Sequence, residues 1–462
     1  MVFSSTVFLF GFLPLFLLIY YIKPNNITLL LFSLLFYSWG EPVYVCMMIF
    51  STILDYTCGR LVEKYRGTLK AKIFLIISVF TNLGLLVVFK YSGFVVETIN
   101  NVFNTSVSIG ALPLPIGISF YTFQTMSYTI DVYRGDVKAQ KNIITFGAFV
   151  SLFPQLIAGP IVRYKTIAEQ LESRRISIDN ICDGVERFII GFIKKVIFAN
   201  QMAQLADTIL QNPDYKFLVT WLGAVAYMLQ IYYDFSGYSD MAIGLGKMLG
   251  FRFDENFNYP YESKSITEFW KKWHISLSSW FRDYVYIPLG GNRVGRGRQV
   301  FNMLIVWSLT GIWHGASWNF VIWGLYYFIL LVLEKYVFKR VMKKIPVVFK
   351  WIFTALLVLL GWVIFYYDNL SELWGAFGSL FSFSVKGDDF NIIKMFLTSY
   401  AMYMIPAIIF QFPVFRKFRN MIFTRKNNVV KILYYVGLLA VGFIAVCFLV
   451  KSTYNPFIYF RF

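Results

Sequence analysis

The chain has 462 residues, of which 58% are hydrophobic, 20% are aromatic and only 15% are charged. Soluble domains carry roughly a quarter charged residues, so this composition excludes an ordinary soluble enzyme, and the excess of apolar side chains excludes a disordered chain. A net charge of +18 in so apolar a chain indicates basic cytoplasmic loops that face anionic lipid rather than a nucleic-acid partner. The sequence therefore predicts a polytopic membrane protein.

Apolar stretches recur along the whole chain. Because a spanning helix needs about 20 apolar residues, the stretches predict an all-α protein with about 11 transmembrane helices and further re-entrant or interfacial helices. They lie near residues 6–22, 27–39, 43–59, 72–90, 114–130, 143–158, 188–210, 217–233, 301–333, 346–367, 391–411 and 432–450. The segment 143–170, in which Ala158 to Arg163 follow a short apolar run, is ambiguous between spanning and re-entrant.

Basic residues predict the orientation of the chain. The first apolar stretch has no basic residue before it and Lys23 after it, which places the N-terminus outside and argues against a cleaved signal peptide. Two clusters mark the inner side, namely Arg60, Lys64, Arg66, Lys70 and Lys72, and Arg416, Lys417, Arg419, Arg425 and Lys426. The sequence shows no long soluble insertion, and we expect a single domain over residues 1–462, with its functional core at approximately 111–335.

Asp234 and Asp240 interrupt an apolar stretch within this core. Carboxylates at membrane depth need partners or water, so we expect an ion pair with Lys247 or a nearby arginine, or a wet cavity. The neighbouring Gly244 and Gly246 do not match a dinucleotide-binding spacing, and small residues at a close helix contact explain them better.

His274 is one of only two histidines. Ser265 and Glu268 have the spacing of a capping box, which predicts that a helix begins there. On one continuous helix, Trp270, His274, Leu277 and Phe281 share an apolar face, and Lys272, Ser276, Ser279 and Asp283 share a polar one. This pattern predicts an amphipathic helix at the membrane interface, in which His274 either packs or functions.

The next segment, 288–298, is basic and glycine-rich. Its backbone amides and guanidinium groups, with Asn292 and Arg293 among its polar residues, could hold the phosphates of a nucleotide-type donor. An ordinary positive loop without a ligand explains the same residues equally well.

His314 lies near the middle of a stretch without formal charge between Arg298 and Glu334. One helix over that stretch would extend about 52 Å, against an apolar membrane core of about 30 Å. We therefore expect a strong tilt or a break, for which Gly311 and Gly315 are natural sites. Thr310, His314 and Ser317 would share one helical face. A structural histidine is the alternative, but an intramembrane ionisable residue favours function.

Motifs of other enzyme classes do not occur in the sequence. It contains no GxSxG elbow and no phosphate loop. Neither histidine is followed five residues later by Asp, since Ser279 and Asn319 occupy those positions. Two histidines without a cysteine cluster argue against a metal site.

Several runs together resemble the membrane-bound O-acyltransferase (MBOAT) family, in particular its alginate and peptidoglycan O-acetylation branch. They are Trp273-His274-Ile-Ser-Leu-Ser, Arg282-Asp283-Tyr-Val-Tyr-Ile-Pro-Leu-Gly-Gly-Asn292-Arg293 and Gly311-Ile-Trp-His314-Gly. The beginning, Val2-Phe-Ser-Ser, and the end, Asn455-Pro-Phe-Ile-Tyr-Phe-Arg-Phe462, are similar to that branch too. The resemblance implies a bundle of helices around a central tunnel in the cytoplasmic membrane.

The resemblance also implies an acetyl transfer to a cell-surface polysaccharide such as alginate, peptidoglycan or cellulose. His314 and His274 map to the family's catalytic positions; we expect His314 to be the general base and His274 to orient the donor, bind the oxyanion or relay a proton. Supporting roles are expected for Asp234, Asp240, Arg282, Asp283, Ser317 and Asn319, and donor binding for Asn292 and Arg293. Acetyl-CoA is the implied donor, with no bound cofactor or metal, and an extracytoplasmic acetyltransferase of the serine-hydrolase type is the implied partner.

Two other functions stay open at this point. The first is D-alanyl transfer to teichoic acid from a carrier protein, which lies within the same family. The second is a polysaccharide or lipid transporter whose path is lined by the ionisable residues, although the lack of a sequence repeat between the two halves disfavours it.

Overall fold

The computed structural model describes residues 1–108, 110, 112–157, 159–385, 387–424, 427–452 and 454–457. These ranges contain α-helices, short π-helical and 3-10 segments and no β-strand, so the all-helical prediction is confirmed. They form two compact units, Met1–Phe188 with Met241–Asp254, and Ile189–Asp240 with Glu255–Phe462.

The α-helices of the described ranges follow in chain order. They are α1 Leu13–Ile22, α2 Asn26–Ser38, α3 Val45–Lys64, α4 Leu69–Phe103, α5 Ile118–Arg134, α6 Ile143–Ser151, α7 Phe153–Leu156, α8 Tyr164–Glu172, α9 Ile178–Ile193, α10 Asn200–Leu210, α11 Phe217–Met248, α12 Ile266–Lys272, α13 Ile275–Phe281, α14 Arg296–His314, α15 Trp318–Val332, α16 Lys339–Lys344, α17 Val347–Tyr366, α18 Leu370–Leu380, α19 Asp389–Phe410, α20 Val414–Thr424 and α21 Asn428–Lys451. The same ranges also contain π-helical segments at Phe8–Phe12, Lys194–Ala199, Arg282–Tyr286 and Leu333–Val337, and a 3-10 turn at Pro260–Glu262.

Six of the described helical segments are long and apolar enough to cross a membrane. They are Val45–Lys64, Leu69–Phe103, Trp318–Val337, Val347–Tyr366, Asp389–Phe410 and Asn428–Lys451. Phe8–Ile22 and Asn26–Ser38 are apolar but shorter. A multi-pass membrane protein is thereby confirmed, and the count of about 11 spans stays a prediction.

In the first unit, a glycine contact joins α9 to the end of α11. A Cβ atom placed on Gly184 or on Gly244 would lie 2.6 Å from the carbonyl oxygen of the other residue. Only glycine permits this approach, so the predicted close helix contact at Gly244 is confirmed.

The first unit also buries a carboxylate that the sequence analysis did not single out. Asp55 of α3 is fully buried and accepts hydrogen bonds from Ser78 Oγ at 2.5 Å and from Asn82 Nδ2 at 2.8 Å, both on α4. Hydrogen-bond donors on the neighbouring helix thus replace the water that this carboxylate would otherwise need.

The segment 143–170 does not form one spanning helix. α6 ends at Ser151, the backbone turns at Leu152, and α7 ends at Leu156. Neither piece is long enough to cross an apolar core of about 30 Å. Ala158 lies outside the described residues, as do Arg425 and Lys426 of the second basic cluster, whereas Arg416, Lys417 and Arg419 lie on α20.

In the second unit, α14 and α15 form a helical hairpin that breaks immediately after His314. α14 ends at this residue, Gly315 is extended, and α15 begins at Trp318. The predicted break is confirmed. The predicted shared face is wrong for Ser317, because Ser317 lies beyond the end of α14 and precedes α15.

Two glycines bring the helices of this hairpin together. A Cβ atom on Gly311 would lie 2.4 Å from the carbonyl oxygen of Phe320, and one on Gly324 would lie 2.5 Å from the carbonyl oxygen of Trp307. Backbone therefore packs against backbone, and the end of α14 is held against α15.

The predicted amphipathic helix around His274 is wrong. Ser265 does begin a helix, since its side chain accepts from the backbone N–H of Glu268 at 3.0 Å. However, α12 ends at Lys272 and α13 begins at Ile275, because His274 has a left-handed backbone with φ of 45°. The single apolar face through Trp270, His274, Leu277 and Phe281 therefore does not exist. Ser276, expected on the polar face, is buried.

The Gly324 contact gives a test of the hairpin. We expect Gly324→Ala to lower the thermal unfolding midpoint in detergent, because the added methyl group forces α15 away from Trp307 at a cost of about 1–3 kcal/mol. Gly378→Ala on α18 is the matched control, since nothing lies within 4 Å of a Cβ there. An unchanged midpoint in Gly324→Ala would contradict the close packing.

Candidate active site

The Thr310 carbonyl fixes the hydrogen-bonding state of His314. The Nδ1 atom of this buried ring lies 2.7 Å from the Thr310 carbonyl oxygen, one turn earlier in α14. A carbonyl oxygen only accepts hydrogen bonds, so Nδ1 carries the proton, and in the neutral ring Nε2 keeps its lone pair. Thr310 itself donates its hydroxyl to the Val306 carbonyl at 2.7 Å. The end of α14 thus presents a basic nitrogen at Nε2.

Aromatic side chains surround the His314 imidazole. Its ring centroid lies 4.8 Å from that of Trp323, 5.0 Å from that of Trp313 and 5.4 Å from that of Phe365. These three rings are buried. The Trp323 indole N–H is also buried and has no hydrogen-bond partner among the described residues. The site therefore combines an apolar wall with one unused donor beside the histidine.

His274 is held by Asn256, a residue that the sequence analysis did not select. His274 Nδ1 lies 3.1 Å from Asn256 Oδ1, and the same oxygen accepts from the backbone N–H of Ser276 at 3.2 Å. Because a backbone N–H only donates, the Asn256 atom is the oxygen, and His274 Nδ1 must be the protonated nitrogen. His274 Nε2 is buried without a hydrogen-bond partner among the described residues.

The two histidines occupy one site. Both rings contact Trp313, and the His274 and Trp313 centroids lie 6.1 Å apart. Burial holds the pKa of His274 well below its ordinary value, and the charge of His314 lowers this pKa further. Each group disfavours a proton on the other, so His274 is neutral at physiological pH.

Lysines of the π-helical segment Lys194–Ala199 pair with the two buried aspartates. Lys195 Nζ lies 2.6 Å from Asp234 Oδ1, with both side chains buried, and Lys194 Nζ lies 2.6 Å from Asp240 Oδ2. Lys195 also donates to the Pro456 carbonyl. The expectation that these carboxylates have partners is confirmed. The named partner Lys247 is wrong, because Lys247 pairs with Asp183.

Four of the other candidate residues lie on the π-helical segment after α13 and in the loop that follows it. Arg282 and Asp283 pair with each other at 2.6 Å on their π-helical segment. Asn292 and Arg293 are exposed, and Asn292 Oδ1 accepts from Tyr286 Oη at 2.8 Å and from Lys335 Nζ at 3.1 Å.

Ser317 and Asn319 follow the break after His314. Ser317 donates its hydroxyl to Asn319, whose amide lies 3.4 Å from the Ile364 carbonyl oxygen on α17. Asn319 is fully buried, so this pair ties the turn of the α14–α15 hairpin to α17.

Sequence reasoning therefore missed Asn256, Trp323, Lys194 and Lys195. The sequence did contain a signal for the two lysines, since two consecutive positive charges in an apolar run need partners of opposite sign on a neighbouring helix. No local pattern relates Asn256 to His274, which follows it by 18 residues.

Comparison with known proteins assigns the chain to a family. A model described as the MBOAT, membrane-bound O-acyltransferase family, matches residues 43–374. The chain belongs to the MBOAT family. The resemblance seen in the sequence is confirmed, and the protein is an acyltransferase. The matched region contains both histidines of the site.

Three MBOAT relatives illustrate the similarity. The chain is 46% identical over 394 residues to a protein named probable alginate O-acetylase AlgI from Azotobacter vinelandii, covering 83% of this chain and 78% of that protein. It is 32% identical over 412 residues to a peptidoglycan O-acetyltransferase from Helicobacter pylori, covering 80% and 78%. A teichoic acid D-alanyltransferase from Bacillus subtilis is 29% identical over 251 residues, covering 51% and 62%.

The buried Asp234–Lys195 pair gives a second test. We expect Asp234→Asn to destabilise the protein by about 3–5 kcal/mol, because Lys195 keeps a buried charge without its partner. The double variant Asp234→Asn/Lys195→Met should recover part of this loss. The measurement is the thermal unfolding midpoint of the detergent-solubilised protein.

Lys247→Met is the control for this test. It breaks the partly exposed Lys247–Asp183 pair, which is expected to contribute about 0–1 kcal/mol. A double variant as unstable as Asp234→Asn alone would show that the uncompensated Lys195 charge is not the cause of the loss.

Proposed function

We propose that this MBOAT protein transfers an acetyl group from acetyl-CoA on the cytoplasmic side to a hydroxyl acceptor on the other side, for O-acetylation of a cell-surface polysaccharide. The observation that carries the proposal is the His314 ring, whose Nδ1 is bonded to the Thr310 carbonyl so that Nε2 is basic. The relatives named as alginate and peptidoglycan O-acetylating proteins support acetyl as the group and a polysaccharide as the final acceptor.

In this proposal His314 is the general base. Its Nε2 removes the proton from the acceptor hydroxyl while the hydroxyl oxygen attacks the thioester carbonyl carbon. The C–S bond then breaks, the CoA thiolate leaves, and His314 returns the proton to sulfur. The products are an acetyl ester and CoA thiol, and the ring regains its neutral form.

His274 has a different part in the reaction. With the proton on Nδ1, its Nε2 accepts a hydrogen bond and cannot donate one to an oxyanion. Of the three roles expected for it, orienting the acyl donor or relaying a proton fits this state better than binding the oxyanion. The neutral form that burial favours is the form such a role requires.

We assign the indole N–H of Trp323 as the hydrogen-bond donor to the developing oxyanion. Its N–H is buried without a partner among the described residues, and its ring packs against His314. A donor already in place where negative charge forms stabilises the transition state without reorganisation.

In this proposal, basic residues mark the side of the membrane on which acetyl-CoA binds. α14 begins at Arg296 in the exposed loop that carries Arg293, and α16 carries Lys339, Arg340, Lys343 and Lys344. These groups would face the cytoplasm and hold the phosphates of CoA, with Asn292 shaping the loop. We further propose that catalysis depends on residues 111–335, that the membrane is the cytoplasmic one and that the N-terminus lies outside.

The acceptor side would lie where α17 ends. Phe365 contacts His314, and the next residue, Tyr366, lines a cavity of about 680 Å³ together with Tyr215, Lys216 and Glu372. Tyrosine rings and polar groups suit a carbohydrate or the surface of a protein. In this proposal an extracytoplasmic acetyltransferase of the serine-hydrolase type receives the acetyl group here.

D-alanyl transfer to teichoic acid is the second candidate. The teichoic acid D-alanyltransferase match over about half of the chain favours it. It uses the same histidines with a carrier-protein thioester as donor, so the identity of the transferred group distinguishes the two functions.

The first test measures ester-linked acetate released by mild base from the surface polymers of a deletion strain. Wild-type protein should restore the acetate, and His314→Ala should not, because no base activates the acceptor. His274→Ala should restore only a small part. Membrane levels of each variant are measured by immunoblot, and Gly378→Ala serves as a control that keeps activity.

Other outcomes of this experiment decide between the functions. Full restoration by His314→Ala would make His314 structural and refute the proposal. If deletion leaves acetate unchanged and lowers D-alanine ester, the protein is the D-alanyl transferase.

Trp323→Phe tests the oxyanion donor. It removes the indole N–H but keeps an aromatic ring, and we expect kcat to fall roughly 10²-fold with KM for acetyl-CoA little changed. Trp362→Phe is the matched control, since that buried indole packs against Trp273 at 4.7 Å. Equal losses in both variants would indicate a packing effect and refute the donor role of Trp323.

A further inference from the structure

The backbone at His274 has a conformation that its own sequence does not favour. Its φ is 45° and its ψ is 54°, a left-handed region in which a side chain with a Cβ atom is disfavoured. The turn also leaves the first N–H groups of α13 without partners inside the helix. Something outside the turn must therefore hold it.

Asn256 supplies that support from a distant loop. Its backbone carbonyl accepts from the N–H of Ile275 at 3.0 Å. Its side-chain Oδ1 accepts from the backbone N–H of Ser276 at 3.2 Å and from Ser276 Oγ at 2.9 Å. A second backbone bond, from the Asn258 N–H to the Lys272 carbonyl at 3.0 Å, holds the loop on the other side of the turn.

The same side-chain oxygen reaches the imidazole. Oδ1 lies 3.1 Å from His274 Nδ1, so one atom both supports the turn and selects the ring nitrogen that carries the proton. Asn256 is fully buried, and its Nδ2 has no hydrogen-bond partner among the described residues. Burial excludes water as a ready replacement for Oδ1.

We propose that Asn256 is a positioning residue for acyl transfer, which holds His274 in its left-handed turn with the proton on Nδ1 and the lone pair of Nε2 directed to the reaction. This inference rests on the proposed function. It assigns to Asn256 a role that acts only through His274.

Two substitutions separate the parts of this role. Asn256→Ala removes Oδ1, so the ring can rotate and exchange its proton between the two nitrogens. Asn256→Asp keeps an acceptor oxygen at the same place but adds a negative charge, which favours the imidazolium form of His274. The charge of His314 opposes that form. The pH profile reports the balance between the effect of the new carboxylate and that of His314 on the protonation of His274.

The experiment measures acetyl transfer from radiolabelled acetyl-CoA to surface polymer in membranes that contain the full chain and its native acceptor system, between pH 5.5 and 8.5. Loss of the hydrogen-bond partner of a metal-ligating histidine typically lowers activity 10–100-fold. By analogy, Asn256→Ala removes the corresponding partner of His274 and should lower kcat by about that factor with little change in KM. Asn256→Asp should move the acidic limb of the profile to higher pH by about one unit.

A double-variant comparison tests whether the effect passes through His274. Asn256→Ala should add nothing to His274→Ala, because the ring that it positions is already gone. Asn302→Ala is the control, since Asn302 is also fully buried and bonds the Leu289 carbonyl at 3.0 Å. It should change stability without moving the pH profile.

The outcomes separate the two proposals. Additive losses in the double variant, or an Asn256→Asp profile equal to wild type, overturn the positioning role. If Asn256→Ala does not fold, the Asn256→Asp profile decides alone, because that variant keeps the acceptor. If His314→Ala and His274→Ala transfer acetate normally, the proposed function itself fails. If the two histidine variants lose acetate transfer and both Asn256 variants keep it, only the positioning role fails.

Discussion

In the proposed reaction His314 acts as a base at Nε2, because the Thr310 carbonyl is bonded to Nδ1 and keeps the proton there. In water an imidazole exchanges its proton between two nitrogens, but a buried ring keeps the state that its nearest fixed partner selects. The glycine contact with α15 and the aromatic wall keep the His314 ring in position, and the hydrogen bond to Thr310 forms within α14 itself. A displaced α14 would carry this hydrogen bond with it and move the basic nitrogen away from the aromatic wall.

The second histidine reaches the same protonation state by a different route. His314 depends on its own helix, one turn away, whereas His274 depends on Asn256 in a loop 18 residues earlier. The first arrangement is local and forms with α14 itself. The second requires the loop and the α12–α13 turn to meet, so it depends on tertiary folding. Two neutral rings in one apolar site also avoid the repulsion that two imidazolium ions would suffer.

These two routes explain which features could be predicted from the sequence. The break after His314 follows from the length of an uncharged stretch and from Gly315, and both are visible locally. The turn at His274 could not be predicted from nearby residues. Ser265 and Glu268 correctly indicate where a helix begins, but no neighbouring residue indicates where it ends. The hydrogen bonds that Asn256 accepts hold the turn that ends it. The aspartates were recognised as needing partners, but Lys194 and Lys195 lie on a π-helical segment, where the 3.6-residue period that relates side chains no longer applies.

The end of α14 has a consequence for the charge that the proposed reaction creates on His314. The last carbonyl groups of a helix lack N–H partners within it and carry a partial negative charge of about half an electron. His314 is the last residue of α14, so an imidazolium formed there lies at the negative end of the helix dipole and gains about 0.3–2 kcal/mol. In the proposed reaction, the break in the hairpin therefore provides a fixed counter-charge for a transient cation.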